Sequence, residues 1–207
     1  MALKKIDIGN ELGRGWALFK PNMGTLIVAG LICVIVGGVT CGILGGPLMA
    51  GMYMVVMRFL KNDPQKPQAG DVFKGFDVFV QALLVIVFTL VMVGVLSVIP
   101  VIGQIAGLVV GAVSTWALMF VACGKLTAID AFKKVFTLTQ SGEFILPLVF
   151  VVITNLILGL GAIACGIGIF FTIPLALCMD ICCYETLFGG EPEPEVIDPI
   201  KVEPPTL

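Results

Sequence analysis

Histidine is absent from all 207 residues. The chain therefore lacks the commonest general base and the commonest nitrogen ligand for metals. Charge is also scarce: Asp, Glu, Lys and Arg make up 13% of the chain, where soluble domains carry roughly 25%. No basic patch with interleaved aromatics is present, which excludes a nucleic-acid partner. The seven cysteines, Cys33, Cys41, Cys123, Cys165, Cys178, Cys182 and Cys183, contain no C-x-x-C pair of a zinc or redox motif. Residues 1–19 hold Lys4, Lys5, Asp7, Glu11 and Arg14 without an unbroken apolar core, so no cleavable signal is expected there. Ser97, Ser114 and Ser141 have no histidine to activate them, and no acidic pair is placed to act on a substrate. The sequence therefore predicts no enzyme, no cofactor and no metal.

What remains is apolar: 58% hydrophobic residues and a mean hydropathy of +1.10. Residues 21–57 and 78–124 are runs of 37 and 47 residues without a charge. About 20 apolar residues cross ~30 Å of hydrocarbon, so each run can cross twice. Spans are expected near 22–40, 43–60, 78–97, 102–123, 144–163 and 169–187. Three amphipathic preludes precede the hairpins, carrying Glu11 and Arg14, Asp71 and Lys74, and Asp130 and Lys133. Their acids are 60 and then 59 residues apart, and equal spacing is the signature of internal repetition. Thr127 and Asp130 have the form of a capping box. Gly9, Gly13 and Gly15 weaken the first prelude, so contact with the membrane surface is expected to hold it. The sequence predicts an all-α membrane protein, a six-transmembrane-helix bundle built from three repeats of an interfacial amphipathic helix plus a transmembrane hairpin. Residues 1–190 form one domain, with units of about 6–60, 69–124 and 127–188. Residues 191–207 read as a disordered, acidic, proline-rich cytoplasmic tail. In this topology all twelve Lys and Arg fall on one side, which places both termini in the cytoplasm by the positive-inside rule.

Asp180 is the one ionisable group well inside a span, and such groups are functional leads unless they are paired. Arg58, near the same face, is its expected partner. The pair reads as a structural lock or, failing that, as a proton or ion site. Asn155 and Thr89 are candidate midplane groups, and with Gln81, Ser114 and Thr115 they read as interhelical hydrogen bonders. Gly103, Gly107, Gly111 and Thr115 form a small-residue stripe for packing within the chain or against a second copy. Cys41 and Cys165 lie near reversals on the outer side, where a disulfide could persist. Cys178, Cys182 and Cys183 cluster near the cytoplasmic end of the last span, where lipid modification is an alternative to plain packing.

Gly46-Pro47-Leu48-Met49-Ala50-Gly51, then Arg58, then Asp71-Val72-Phe73-Lys74-Gly75-Phe76 make a pattern of about thirty residues. It resembles uncharacterised bacterial membrane proteins of the YciC-like type and the membrane domain beside some glycerophosphodiester phosphodiesterases. That resemblance implies a multi-helix protein of the bacterial inner membrane, and it carries over no catalytic residue. The expected role is a non-enzymatic membrane scaffold or accessory protein, whose partners are the lipid bilayer and either another protein or a second copy of the chain. The alternatives are a small transporter or channel using Asp180 with Asn155 and Thr89, and an intramembrane enzyme acting on lipid.

Overall fold

The structure is a computed structural model and describes residues 6–40, 42–98, 102–140, 142, 144–163 and 168–189. Within them the chain is helical: α1 Ile8–Val39, α2 Gly45–Leu60, a 3₁₀ helix Ala69–Val78, α3 Phe79–Leu96, α4 Ile102–Gly124, α5 Ala128–Gln140, α6 Ile145–Ile163 and α7 Ile169–Phe188. Their ends follow local chemistry. The Asp7 carboxylate accepts from the backbone of Gly9 and Asn10 and caps α1. Asp71 and Gln68 form a reciprocal capping box on the 3₁₀ helix. The Asp130 backbone N–H donates to Thr127 Oγ1 at the start of α5, as the capping-box spacing predicts. Asn62 and Lys125, at φ 50° and 51°, turn the chain just past α2 and α4.

The core draws on every helix, and its aromatic centre joins side chains of α4 and α7. Trp116 and Phe120 of α4 meet Phe144, Tyr184 and Phe188 in one aromatic cluster. The Trp116 indole donates to the Pro147 carbonyl at 3.3 Å, which gives its N–H a partner in an apolar surround. α1 and α7 run antiparallel. Arg14 pairs with Glu185 at one end, and Gly30 approaches the Pro174 ring at the other.

Four helices are long and apolar enough to cross a membrane: Ile8–Val39, Ala69–Leu96, Ile105–Gly124 and Ile169–Phe188. Residues 128–140 and 145–161 pass only as a pair bent by 117°. α2 has 16 residues and measures ~24 Å, short of a ~30 Å crossing. These several long apolar helices suit a multi-pass membrane protein.

The helix ends agree with the expected spans to within two residues, except at the first. There the prelude and the span form one 32-residue helix with Pro21 inside it. At ~1.5 Å per residue α1 reaches ~48 Å, so it outruns the hydrocarbon. The Asn22 side-chain amide donates to the Leu18 carbonyl at 2.9 Å, supplying a donor next to the one Pro21 lacks. The first prelude is also held by α7. Gly15 lies against the Met179 backbone, and Glu11 is only 3% exposed. The second prelude also runs straight into its helix, and only the third turns away.

The 3₁₀ helix rests on α2 at backbone distance. A methyl group on Gly75 would run into the Pro47 carbonyl and the Gly51 backbone, and one on Gly51 into Val72. Gly70, near the start of the same 3₁₀ helix, faces open space. Gly51→Ala and Gly75→Ala should each destabilise the detergent-solubilised protein by about 1–3 kcal/mol or more. Gly70→Ala should stay within about 0.5 kcal/mol of the parent. Unfolding curves of the three variants check this.

Candidate functional site

A polar group inside an apolar bundle has to find its partner within the bundle. Asp180, on α7, is 4% exposed. Its Oδ1 lies 2.7 Å from Thr154 Oγ1 on α6, and the Tyr53 hydroxyl of α2 faces the same carboxyl. Thr154 Oγ1 is also 3.0 Å from the Val151 carbonyl. A hydroxyl has a single hydrogen. When the carboxyl carries a proton, Asp180 can donate to Thr154 while Thr154 donates to Val151, and both contacts are met. Three helices are thereby tied at one buried point.

The expected Asp180–Arg58 pair is not formed. Tyr53 is the α2 residue level with Asp180, and Arg58 lies five residues further along the same helix, ~7.5 Å of rise away. Arg58 is instead the hub of a latch at the end of α2. Its Nε donates to Asp63 at 2.7 Å, one terminal nitrogen to Asp71 at 2.8 Å and the other to the Gln65 carbonyl at 3.1 Å. Lys74 closes on the other oxygen of Asp71 at 3.0 Å. Hydrogen bonds from Arg58 and from the Gln65 backbone hold the Asp63 carboxyl below the usual carboxylate range.

A second latch joins the first and last helices. Arg14 pairs with Glu11 and Glu185, each at 3.0 Å, and also donates to Thr186. Thr186 in turn donates to Glu11 at 2.9 Å. Thr89 bonds Ser114 at 2.7 Å across α3 and α4, and Gln81 accepts from the Ala128 backbone N–H at 2.8 Å. Both are the interhelical bonds their residue types lead one to expect. Asn155 is half-buried on α6, where its neighbour Thr154 makes the contact to α7. Of the small-residue stripe, Gly103 packs against the Leu96 and Ser97 backbone, while Gly107 and Gly111 face open space. Thr115 is half-buried on the same helix. Packing inside the chain therefore uses only one end of the stripe. Cys41 and Cys165, the proposed disulfide, lie outside the described residues, as does the 191–207 tail. Cys178, Cys182 and Cys183 are buried free thiols, so the cluster is core packing and is not placed for lipid modification. No group of side chains suited to a metal occurs among the described residues.

Thr154, Tyr53 and the Glu11–Thr186 contact were missed by sequence reasoning. A hydroxyl in an otherwise apolar span was the only signal Thr154 and Tyr53 offered.

The chain was compared with protein-family models, curated proteins and solved structures, and none of the three comparisons gives a match.

Two outcomes follow from these contacts. Asp180→Asn keeps a donor toward Thr154 and should unfold within about 1 kcal/mol of the parent. Thr154→Val strips the buried carboxyl of that partner and should cost about 1–3 kcal/mol. Unfolding in detergent measures both. The Asp63 carboxyl is held below its ordinary range, so the stability it adds is fully present above the unfolded-state pKa. That stability is lost as pH falls through the folded value. Proteolysis of the 61–68 connection should therefore stay flat across neutral pH, accelerate only in acid below about pH 4, and depend less steeply on pH there in Asp63→Asn, where Asp71 still binds Arg58 and Lys74.

Proposed function

We propose that this chain is a six-span protein of the bacterial inner membrane with both termini cytoplasmic. It is built from three parallel repeats and acts as a non-enzymatic scaffold or accessory protein. The observation that carries the accessory role is the sideways tie of Asp180 to Thr154 at 2.7 Å, within a wall of buried Met179, Ile181 and Cys183. A carboxyl bound crosswise between helices anchors packing, whereas a transport group has to face a path.

The repeat reading draws support from matched contacts. Glu11–Arg14 and Asp71–Lys74 are i,i+3 pairs of 3.0 Å set 60 residues apart. Gly15 and Gly75, also 60 apart, each bring a prelude to backbone distance of another helix, α7 and α2. Arg58 and Glu185, each eleven residues after a proline (Pro47 and Pro174), hold those preludes with ion pairs of opposite polarity. In that frame α6 with the bent α5, and the short α2, supply the fifth and sixth crossings. All twelve basic residues then share one side.

Two experiments test this. A membrane-impermeant amine reagent applied to intact cells should leave Lys74 and Lys133 unmodified; reaction from outside would overturn the topology. Proteoliposomes of the purified protein should show no proton or ion flux above that of empty vesicles. A flux abolished by Asp180→Asn would replace the accessory role with transport.

A further inference from the structure

α5 sorts its side chains into three rows. Ala128, Ala131 and Val135 are buried, and α4 is the helix that α5 rests on. Asp130, Lys133 and Thr137 are exposed, and the helical period turns them away from the buried row. Between these rows run Ile129, Phe132 and Phe136, at the i, i+3, i+7 spacing of one helix face. Ile129 and Phe136 are each 65% exposed. The helix thus buries its small apolar residues and presents its large ones. Apolar side chains scattered singly over a surface need no explanation, but these stand in line. The line also continues beyond α5. Phe132 packs on Phe88 of α3 with ring centroids 4.6 Å apart. Phe88 is itself exposed, as are Leu84, Val87 and Val91 on the same side of α3. At the start of α5 the Ala128 N–H donates to Gln81, in the first turn of α3, at 2.8 Å. α5 therefore begins level with the start of a helix long and apolar enough to cross a membrane. The 117° bend at its far end then sets it across α6.

We propose that α5 docks on a phospholipid leaflet at the boundary between headgroups and acyl chains. Ile129, Phe132 and Phe136 enter the upper acyl region, while Asp130, Lys133 and Thr137 stay toward water. A helix lying in that boundary sinks its apolar row about 5–10 Å deep. Lipid is the occupant because the row merges, through Phe132 and Phe88, with the side of α3 that a crossing helix gives to acyl chains. A protein seated on α5 would have to displace lipid from α3 as well. Each row then meets the medium that suits it: protein, hydrocarbon or water. The inference rests on the membrane reading proposed above, which makes the leaflet the cytoplasmic one, and it is independent of the accessory role.

Tryptophan quenching in lipid nanodiscs tests the docking on the full chain. A Trp16→Phe background leaves the enclosed Trp116 as its one indole. Added to that background, Phe136→Trp should lose about half its emission to phosphatidylcholine brominated near the glycerol end of its chains. Iodide in the buffer should barely affect it. Thr137→Trp, on the water-facing row, should show the reverse. Leu90→Trp, on the exposed side of α3, should respond to bromine placed near the methyl end. If Phe136→Trp does not fold, Ile129→Trp carries the comparison. Quenching of Phe136→Trp by iodide, with Leu90→Trp behaving as expected, overturns the docking alone. Shielding of Phe136→Trp from both quenchers assigns the row to a protein and also overturns it. A Leu90→Trp that no brominated lipid reaches overturns the membrane reading, and the docking falls with it.

Discussion

α1 and α7 lie against each other for most of their length, and the arrangement of the other helices depends on that contact. Gly15 admits the Met179 backbone, Gly30 admits Pro174, and Arg14 binds Glu185 and Thr186 at the end of the seam. Small residues let helices approach closely enough for dispersion to act where lipid supplies no hydrophobic drive. With the seam closed, α4 is enclosed by α2, α3, α5 and α6, and its second half becomes the buried spine of the bundle. The Trp116 cluster forms on that spine.

The same scarcity of water governs the polar groups. Among the described residues, polar contacts cross between consecutive helices: Cys33 to the Leu48 carbonyl at 3.7 Å, Thr89 to Ser114 at 2.7 Å, and Thr154 to Asp180 at 2.7 Å. The charged pairs collect instead at the preludes and at the ends of α2 and α7. Ion pairs thus gather at the helix ends, and the polar contacts between neighbouring helices are single hydrogen bonds.

Much of this was legible in the sequence. Charge-free runs broken by Pro47, the Ser97 region and the 159–168 glycines marked where helices begin and end, because those limits are local. The Thr127 cap of α5 was legible for the same reason. The partner of Asp180 was not, since it depends on which residues of neighbouring helices stand level with it. Arg58 was the nearest base by eye, but Asp63 and Asp71, a few residues on, had prior claim to it. The length of α1 was misread because a proline and three glycines weaken an isolated helix, whereas α7 supplies packing that no local window contains.

Because the seam joins α1 to α7, helices far apart in the chain, its geometry also dictates a sequence of assembly. During synthesis, the groove around Gly15 and the otherwise enclosed Glu11 stay unfilled until the twenty residues of α7 leave the ribosome. A nascent chain stalled before that point displays a carboxylate and a bare glycine face side by side.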